Sequence, residues 1–487
     1  MADGPRYGFH PLERRGLLLG LDGVQVATLG GGAASALAAR AAIGGRLGLV
    51  AALATAAGAL AAGLGRKDGT SFGRWARLGA GWASRRTRGP RLDDRPLAGT
   101  GPAGSAVDGS LTAGRPTQSP GRARRRAAGT TAPAGIEIAC APGIGSEAGI
   151  GMVVDRAAGT QAAVLPVHGG SFSLLDPPEQ AQRLEAWRRV LGAVARPGTP
   201  VTCLQWVRRT RAGSTPALDS MPVAGPDEDV LGAAASYRSF VTSALPGMVD
   251  HHTWLVLAVP GRRRSSSTVL RREVRFLQGQ LESAGLEPGP PLTVDRLCGV
   301  LADTTRCGGS PPATGRAGLA WPMAAHDGWA AYRADGTWHV TYWVAEWPRV
   351  EVGPDFLSPL LVAGVRTSVS VLMAPVAAAV AVREVRSART ADLADAALRS
   401  RAGFLTSARR ERESEGPARR EEELADGHQA FRFSGYVTVS ADDPEGLAAA
   451  CADVEHLAQS ARVELRRLFG RQREAFTWTL PLARGLR

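Results

Sequence analysis

The side chains best suited to chemistry are one lysine, eight histidines and five cysteines, and their spacing restricts what they can do. Lys67, the sole lysine, stands between Arg66 and Asp68. A P-loop instead needs a glycine before Lys-Ser or Lys-Thr, so that the ammonium reaches the β and γ phosphates. No nucleotide is expected to be held that way. Gly143-Ile144-Gly145 with Gly149 imitates a dinucleotide loop, but the spacing departs from the fingerprint and strand-like residues follow where a helix should start. His251 and His252 are adjacent, and neighbours in a strand point to opposite sides, so one metal is not shared between them and a polar loop end is the simpler reading. Cys298, Cys307 and His326 lack a fourth ligand and zinc spacing, which leaves buried free thiols. With Cys140, Cys203 and Cys451 they form an odd, scattered set with no CxxC pair, which fits a reducing compartment and no disulfide framework. A serine-hydrolase nucleophile elbow is not expected either. No catalytic, cofactor or metal residue is therefore assigned, and the chain is expected not to be an enzyme.

The elements that must carry these residues start with charge and hydropathy. Residues 1–135 hold 19 Lys/Arg against 7 Asp/Glu, whereas the remainder holds 39 against 38. The formal charge of +13 thus sits beside the N-terminus, and a near-neutral body disfavours a DNA-handling protein. Gly23–Ala39 and Leu47–Leu64 are apolar stretches of about the minimum length that spans a hydrocarbon core. Only Arg40–Arg46 lies between them. An antiparallel transmembrane hairpin over 23–65 follows, its Ala/Gly-rich helices able to approach closely. Arg14 and Arg15 precede the first span, and Arg66, Lys67, Arg74 and Arg77 follow the second, against two arginines between the spans. Positive charge is retained on the cytoplasmic side, so both termini are expected in the cytoplasm and the chain in the inner membrane. Trp75 and Trp82 are placed to anchor at the bilayer surface.

Residues 1–22 read as a cytoplasmic lead segment and 66–134 as a basic juxtamembrane segment and linker, with prolines at 90, 96, 102, 116, 120 and 133. From Ile136 onward, periods of two and 3.6 alternate, the pattern of mixed helix and sheet. Two strands are expected within Gly151–Leu175 with a turn near Ala158-Gly159. A helix over Glu179–Ala195, a strand over Val201–Val207 and a helix over Leu231–Leu245 follow. The strand Trp254–Val259 and the amphipathic helix Val269–Ala284 come next. Trp329–Trp347 reads as a hairpin around Ala334-Asp335-Gly336-Thr337. A strand over Thr367–Val382, one long Arg/Glu-rich helix over Glu384–Asp426, a strand over Phe431–Ser440 and a helix over Glu445–Phe469 complete the pattern. We therefore expect an α+β body of split-βαβ, ferredoxin-like layers, divided into 135–350 and 351–487. Phe476–Leu482 alternates as a last apolar strand, with Phe476, Trp478 and Leu480 on one face. Such a stripe either closes the core or presents a surface.

Two strings carry a family resemblance: Trp338–Val352 (WHVTYWVAEWPRVEV) and Arg432–Leu486, which contains RFSGYVTVSADDPEGL and QREAFTWTLPLARGL. They resemble actinobacterial conjugal-transfer membrane proteins that work beside a separate ATPase. Tyr7–Arg15 (YGFHPLERR) with Gly16 and Leu17–Leu21 is similar to the segment leading into a PrgI-type hairpin. The body resembles the non-ATPase N-terminal half of TraC/TrbE-class type IV secretion ATPases. The resemblance implies a scaffold on which a separate TraC/TrbE-class ATPase docks, with other secretion-channel subunits, the lipid bilayer and further copies of itself as partners. It further implies that Gln472, Phe476, Trp478, Leu480 and Pro481 lie at the docking end, because the corresponding segment of those ATPases runs into the motor. The alternatives are a membrane component of a type VII-like system, against which the QREAF string argues, and a membrane-tethered enzyme, which needs a titratable cluster the sequence does not display.

Overall fold

The computed structural model describes Phe9 and residues 23–67, 70–88, 132–141, 149–169, 172–212, 249–261, 266–305, 320–362, 364–401 and 408–486. Arg14, Arg15, Cys307, most of the Gly143 loop and the helix expected over Leu231–Leu245 lie outside these residues. Two apolar helices open the fold: α1 (Gly23–Ile43) and α2 (Gly45–Leu64). Each contains a 19-residue segment long and apolar enough to cross a membrane. The expected connection Arg40–Arg46 contracts to Gly44, because Gly44 (φ 62°) and Gly45 (φ 58°) adopt a left-handed conformation that costs glycine little. The pair is tight. A Cβ on Gly32 would sit 2.0 Å from that of Ala59, and the buried Gln25 amide donates to the Gly63 carbonyl at 2.9 Å, so its polar group is satisfied inside the pair. Leu37, Leu47, Val50 and Leu53 face outward, each more than 60 % exposed. A two-strand ribbon, β1 (Arg66–Lys67) with β2 (Thr70–Ser71), joins α2 to α3 (Phe72–Arg88).

The body is built on one 12-stranded sheet. Its first strands are β3 (Ile136–Ala141), β4 (Ile150–Asp155), β5 (Thr160–His168), β6 (Cys203–Ala212), β7 (Val249–Pro260) and β8 (Glu287–Pro288). Helices α4 (Pro177–Val194), α5 (Ser266–Ser283) and α6 (Val294–Thr305) are interspersed. The second set comprises β9 (Ala325–Asp327), β10 (Tyr332–Ala334), β11 (Thr337–Glu346), α7 (Ser358–Leu361), β12 (Thr367–Val376), α8 (Ala378–Arg401), α9 (Ala408–Ala425), β13 (Ala430–Ala441), α10 (Pro444–Ser460), β14 (Glu464–Arg467) and α11 (Gln472–Phe476). The strand order is β3-β4-β5-β7-β6-β12-β13-β11-β10-β9, with β8 added to β5 and β14 to β11. Every pair of neighbours is antiparallel. The sheet runs across residue 350 without a break, because β6 pairs with β12 over Leu204–Arg209 and β11 with β13 over Trp338–Trp343.

Alternation along the strands sets the layers. Leu255, Leu257 and Val259 of β7 join Leu204, Val190 and Leu277 in a core under α4 and α5, while Trp254, Val256 and Ala258 point to the opposite face with Leu297, Leu301 and Trp478. Val340, Val369 and Val439 pack under α10. The hairpin at Asp335 (φ 48°) and Gly336 (φ 106°) follows the expectation, since both turn residues take the positive φ that a two-residue connection demands.

The strands expected over Val201–Val207 and Trp254–Val259 run longer, as Cys203–Ala212 and Val249–Pro260, and four further boundaries differ for identifiable reasons. The strand from Thr367 ends at Val376, just after Pro375, which has no N–H for the ladder. The long helix is two packed helices, α8 and α9, tied by Arg389 to Glu421; the intervening sequence Ala402–Ser407 contains the poor helix formers Gly403, Thr406 and Ser407. The helix from Glu445 stops at Ser460, where Arg462 (φ 56°) turns the chain and Glu464–Arg467 becomes a strand on β11. The C-terminal apolar segment is helical: α11 is followed by a 3₁₀ turn at Thr477–Thr479. Its threonines explain this, because Thr477 donates to the Glu474 carbonyl at 2.6 Å and Thr479 to the Phe476 carbonyl at 3.0 Å, bonds that a helical turn provides and a strand does not.

Candidate functional site

Two regions hold the residues singled out by the sequence: the C-terminal segment and the apolar helix pair with its flanks. The C-terminal segment lies flat on the sheet face opposite the α4/α5 layer. Gln472 is fully buried, accepting from Thr341 N–H at 2.8 Å and donating to the Thr341 carbonyl at 3.2 Å. Phe476, Trp478, Leu480 and Pro481 are buried as well. The side chains expected to dock a partner therefore point into the core, and they join the layer that Val164, Val207 and Val256 begin. The physical reason is that the C-terminal segment covers, together with α6, a sheet face on which α4, α5 and α10 do not pack, and an aromatic stripe set against it is removed from water.

Gln205, in β6, was not visible to sequence reasoning. Its amide donates to the Trp478 carbonyl (3.1 Å), the Leu480 carbonyl (2.9 Å) and Ser370 Oγ (2.8 Å), and its oxygen accepts from Ala483 N–H at 2.7 Å. A single buried polar side chain so pins the chain end to the centre of the sheet. The strap continues outward: Tyr436 Oη donates to the Gly485 carbonyl at 2.5 Å, and Arg484 pairs with the buried Asp155 of β4 at 2.8 Å. Gln205→Leu is expected to destabilise the body by about 2–3 kcal/mol, since it orphans two carbonyls and an N–H at once. The denaturant midpoint of detergent-solubilised protein measures this, and an unchanged midpoint would show that the strap is not energetically coupled to the sheet.

Beside the apolar pair, Arg66 and Lys67 form β1, Arg74 lies on α3, and Arg77 is exposed on the same helix. Trp75 and Trp82, half-buried and seven residues apart on one face of α3, both contact Trp329 of the body, at 5.8 and 5.5 Å between ring centroids. Phe9 stacks on Trp347 at 5.3 Å.

The chemistry-bearing residues are dispersed. Among the described residues no three His, Cys, Asp or Glu side chains come together as a metal site. Cys203, Cys298 and Cys451 are buried free thiols, and Cys140 is exposed. Desolvation pushes Cys203 up to about 12, so it stays a thiol. His251 and His252 lie in β7, not in a loop; His252 stacks on Trp254, and burial lowers both imidazoles below their ordinary value. The sequence does contain a Gly-x-Ser-x-Gly string, Gly69-Thr70-Ser71-Phe72-Gly73, against the expectation that none occurs. It belongs to the two-residue strand β2 and the start of α3, not to a strand of the central sheet, where a nucleophile elbow is built. No protein-family model matches the chain, and no curated protein matches it.

Proposed function

We propose that this chain is a non-catalytic inner-membrane scaffold of a conjugal-transfer or type IV secretion-like system, on which a separate P-loop ATPase docks. The observation that carries the reading is the presence, in one chain, of two outward-facing apolar helices of membrane-spanning length and a large α/β body, with α3 joined to the helix pair by a short, hydrogen-bonded connection. Gly65 accepts from Phe72 N–H at 3.2 Å, so that α3 leaves the membrane pair at a set angle. In this reading both termini are cytoplasmic, with Arg66, Lys67, Arg74 and Arg77 retained inside and Arg40 and Arg46 outside. The split-βαβ reading of the body is supported by strand order: β8-β5-β7-β6 and β14-β11-β13-β12 follow the same arrangement, and each carries a helix between its first and second and between its third and fourth strands.

Co-purification from membranes tests the role. The chain is expected to carry with it an ATPase encoded beside it and to hydrolyse no ATP alone; hydrolysis that tracks with the body through stringent purification sinks the scaffold reading. Topology has its own measurement. A cysteine probe at Gly44 should label from outside intact cells, and one at Ser105 should not; labelling at Ser105 overturns the orientation.

A further inference from the structure

The aromatic residues on either side of the membrane pair are seated on the body. Phe9 lies ahead of α1, and its ring sits 5.3 Å from Trp347, nearly parallel at 22°, and 5.2 Å from Phe356. Behind α2, Trp75 lies 5.8 Å from Trp329 and 5.3 Å from Phe469, and Trp82 meets Trp329 edge-on at 5.5 Å.

The two receiving tryptophans are themselves built in. A Cβ on Gly470 would fall 2.6 Å from the Trp329 ring, and one on Gly435 would fall 2.8 Å from the Trp347 ring, so in both places the backbone is cut back to glycine beneath the indole. Gly470 N–H also donates to the Trp329 carbonyl at 2.7 Å. Both seats border the same strands: Trp347 follows β11 directly, and Phe469 follows β14, the partner of β11. A sequence pattern does not show this, because Phe9, Trp75, Trp329, Trp347 and Phe469 are far apart in the chain.

We propose that Trp347/Phe356 and Trp329/Phe469 are two intramolecular seats that clamp the body onto its own membrane anchor, Phe9 gripping from ahead of the helix pair and Trp75 with Trp82 from behind it. The clamp rests on the membrane reading above and adds an orientation to it: the β11/β14 region faces the bilayer. By composition, a Gly/Ser/Pro-rich linker of the length of residues 89–134 allows a tethered body to roam about 40 Å. Two attachment points remove that freedom. Stacked rings are weak as separate molecules, but tethering gives them millimolar effective concentration, and the 14 peptide steps from Phe9 to Gly23 reach at most about 50 Å. The bilayer surface competes for the same rings, since tryptophan prefers that interface.

The full chain, reconstituted in vesicles of phosphatidylglycerol and phosphatidylethanolamine, tests the clamp with p-benzoylphenylalanine placed at Phe9 or at Trp82. Adducts are expected within one chain, mapping to the 347–357 region from Phe9 and to the 329 or 469 region from Trp82. Adducts to lipid alone, or between chains only, overturn the proposal. A second measurement leaves the receiving rings Trp329, Trp347, Phe356 and Phe469 untouched: a dye on the exposed Cys140, in a Cys307→Ser background, transfers energy to a lipid acceptor. Combining Phe9→Ala, Trp75→Ala and Trp82→Ala should change transfer efficiency about twofold and broaden its distribution, whereas unchanged transfer overturns the clamp. Flotation with the vesicles reports the anchor separately: a chain that gives the mapped adducts but does not float keeps the clamp and loses the membrane reading.

Discussion

Trp478→Ala should cost the folded body about 3–5 kcal/mol, the range for truncating a buried large aromatic. The ring is 5 % exposed, lies 4.9 Å from the Tyr436 ring and 5.1 Å from the Arg471 guanidinium, and fits beneath Gly485, where a Cβ would fall 2.6 Å from it. Truncation leaves a cavity between the sheet and the strap, and the neighbours that line it are fixed by hydrogen bonds of their own. The Gln205 bonds to the Trp478 and Leu480 carbonyls, for example, hold the backbone in place while the side chain is gone. Little collapse is available to reduce the loss. The measurement is the urea midpoint of the solubilised chain by circular dichroism, together with recovery of the ATPase proposed above as its partner. A partner-facing Trp478 would give the reverse pattern, an unchanged midpoint with lost co-purification, and that result would return this residue to the docking surface. Deleting Phe476–Arg487 should be more damaging still, because it uncovers the face bearing Val164, Val207 and Val256.

Acid should weaken the body through His339. This imidazole is fully buried in β11, with Nδ1 2.8 Å from Ser440 Oγ, the Phe476 ring 4.4 Å away and Nε2 without a hydrogen-bond partner. Desolvation, followed by the positive charges of Arg209 and Arg366, pushes it down to about 3 from 6.5. The folded state therefore keeps it neutral while the unfolded chain takes up a proton below about 6.5. Its contribution to stability is complete above pH 6.5 and is lost progressively as pH falls from there towards 3. The slope approaches 1.4 kcal/mol per pH unit, which amounts to about 2 kcal/mol by pH 5. His251 and His252 are shifted in the same direction, so the comparison is between the wild type and His339→Asn, both titrating the other two. Unfolding free energies at pH 7.5, 6.5 and 5 should converge for the pair as pH falls. Parallel curves would show that His339 is protonated in the folded state.

Much of this architecture follows from local pattern. The apolar helix pair, the hairpin at Asp335-Gly336, the Ala158-Gly159 turn between β4 and β5, and the cores of α4 and α5 each rest on one segment's own periodicity or turn chemistry, which neighbours in space only reinforce. Boundaries failed where two local signals compete. Helical pattern continues past Ser460 in the sequence, but Glu464–Arg467 finds an open edge on β11 and pairs there. The alternation of FTWTLPL is a sound strand signal until its threonines bond back to carbonyls three residues earlier.

The chain alone thus determined that there are two apolar spans, a basic flank, a mixed α/β body, and no spacing suited to a phosphate loop or a zinc site. It left open whether the last aromatic stripe is buried or displayed. Tertiary structure decided that by setting Gln472, Phe476, Trp478, Leu480 and Pro481 against a sheet face whose residues come from β5, β6 and β7, hundreds of positions away. It likewise decided that Phe9, Trp75 and Trp82 meet tryptophans of the body. Burial and ring stacking depend on which surfaces the whole fold brings within contact distance, and for residues separated by more than 240 positions no local period records that distance.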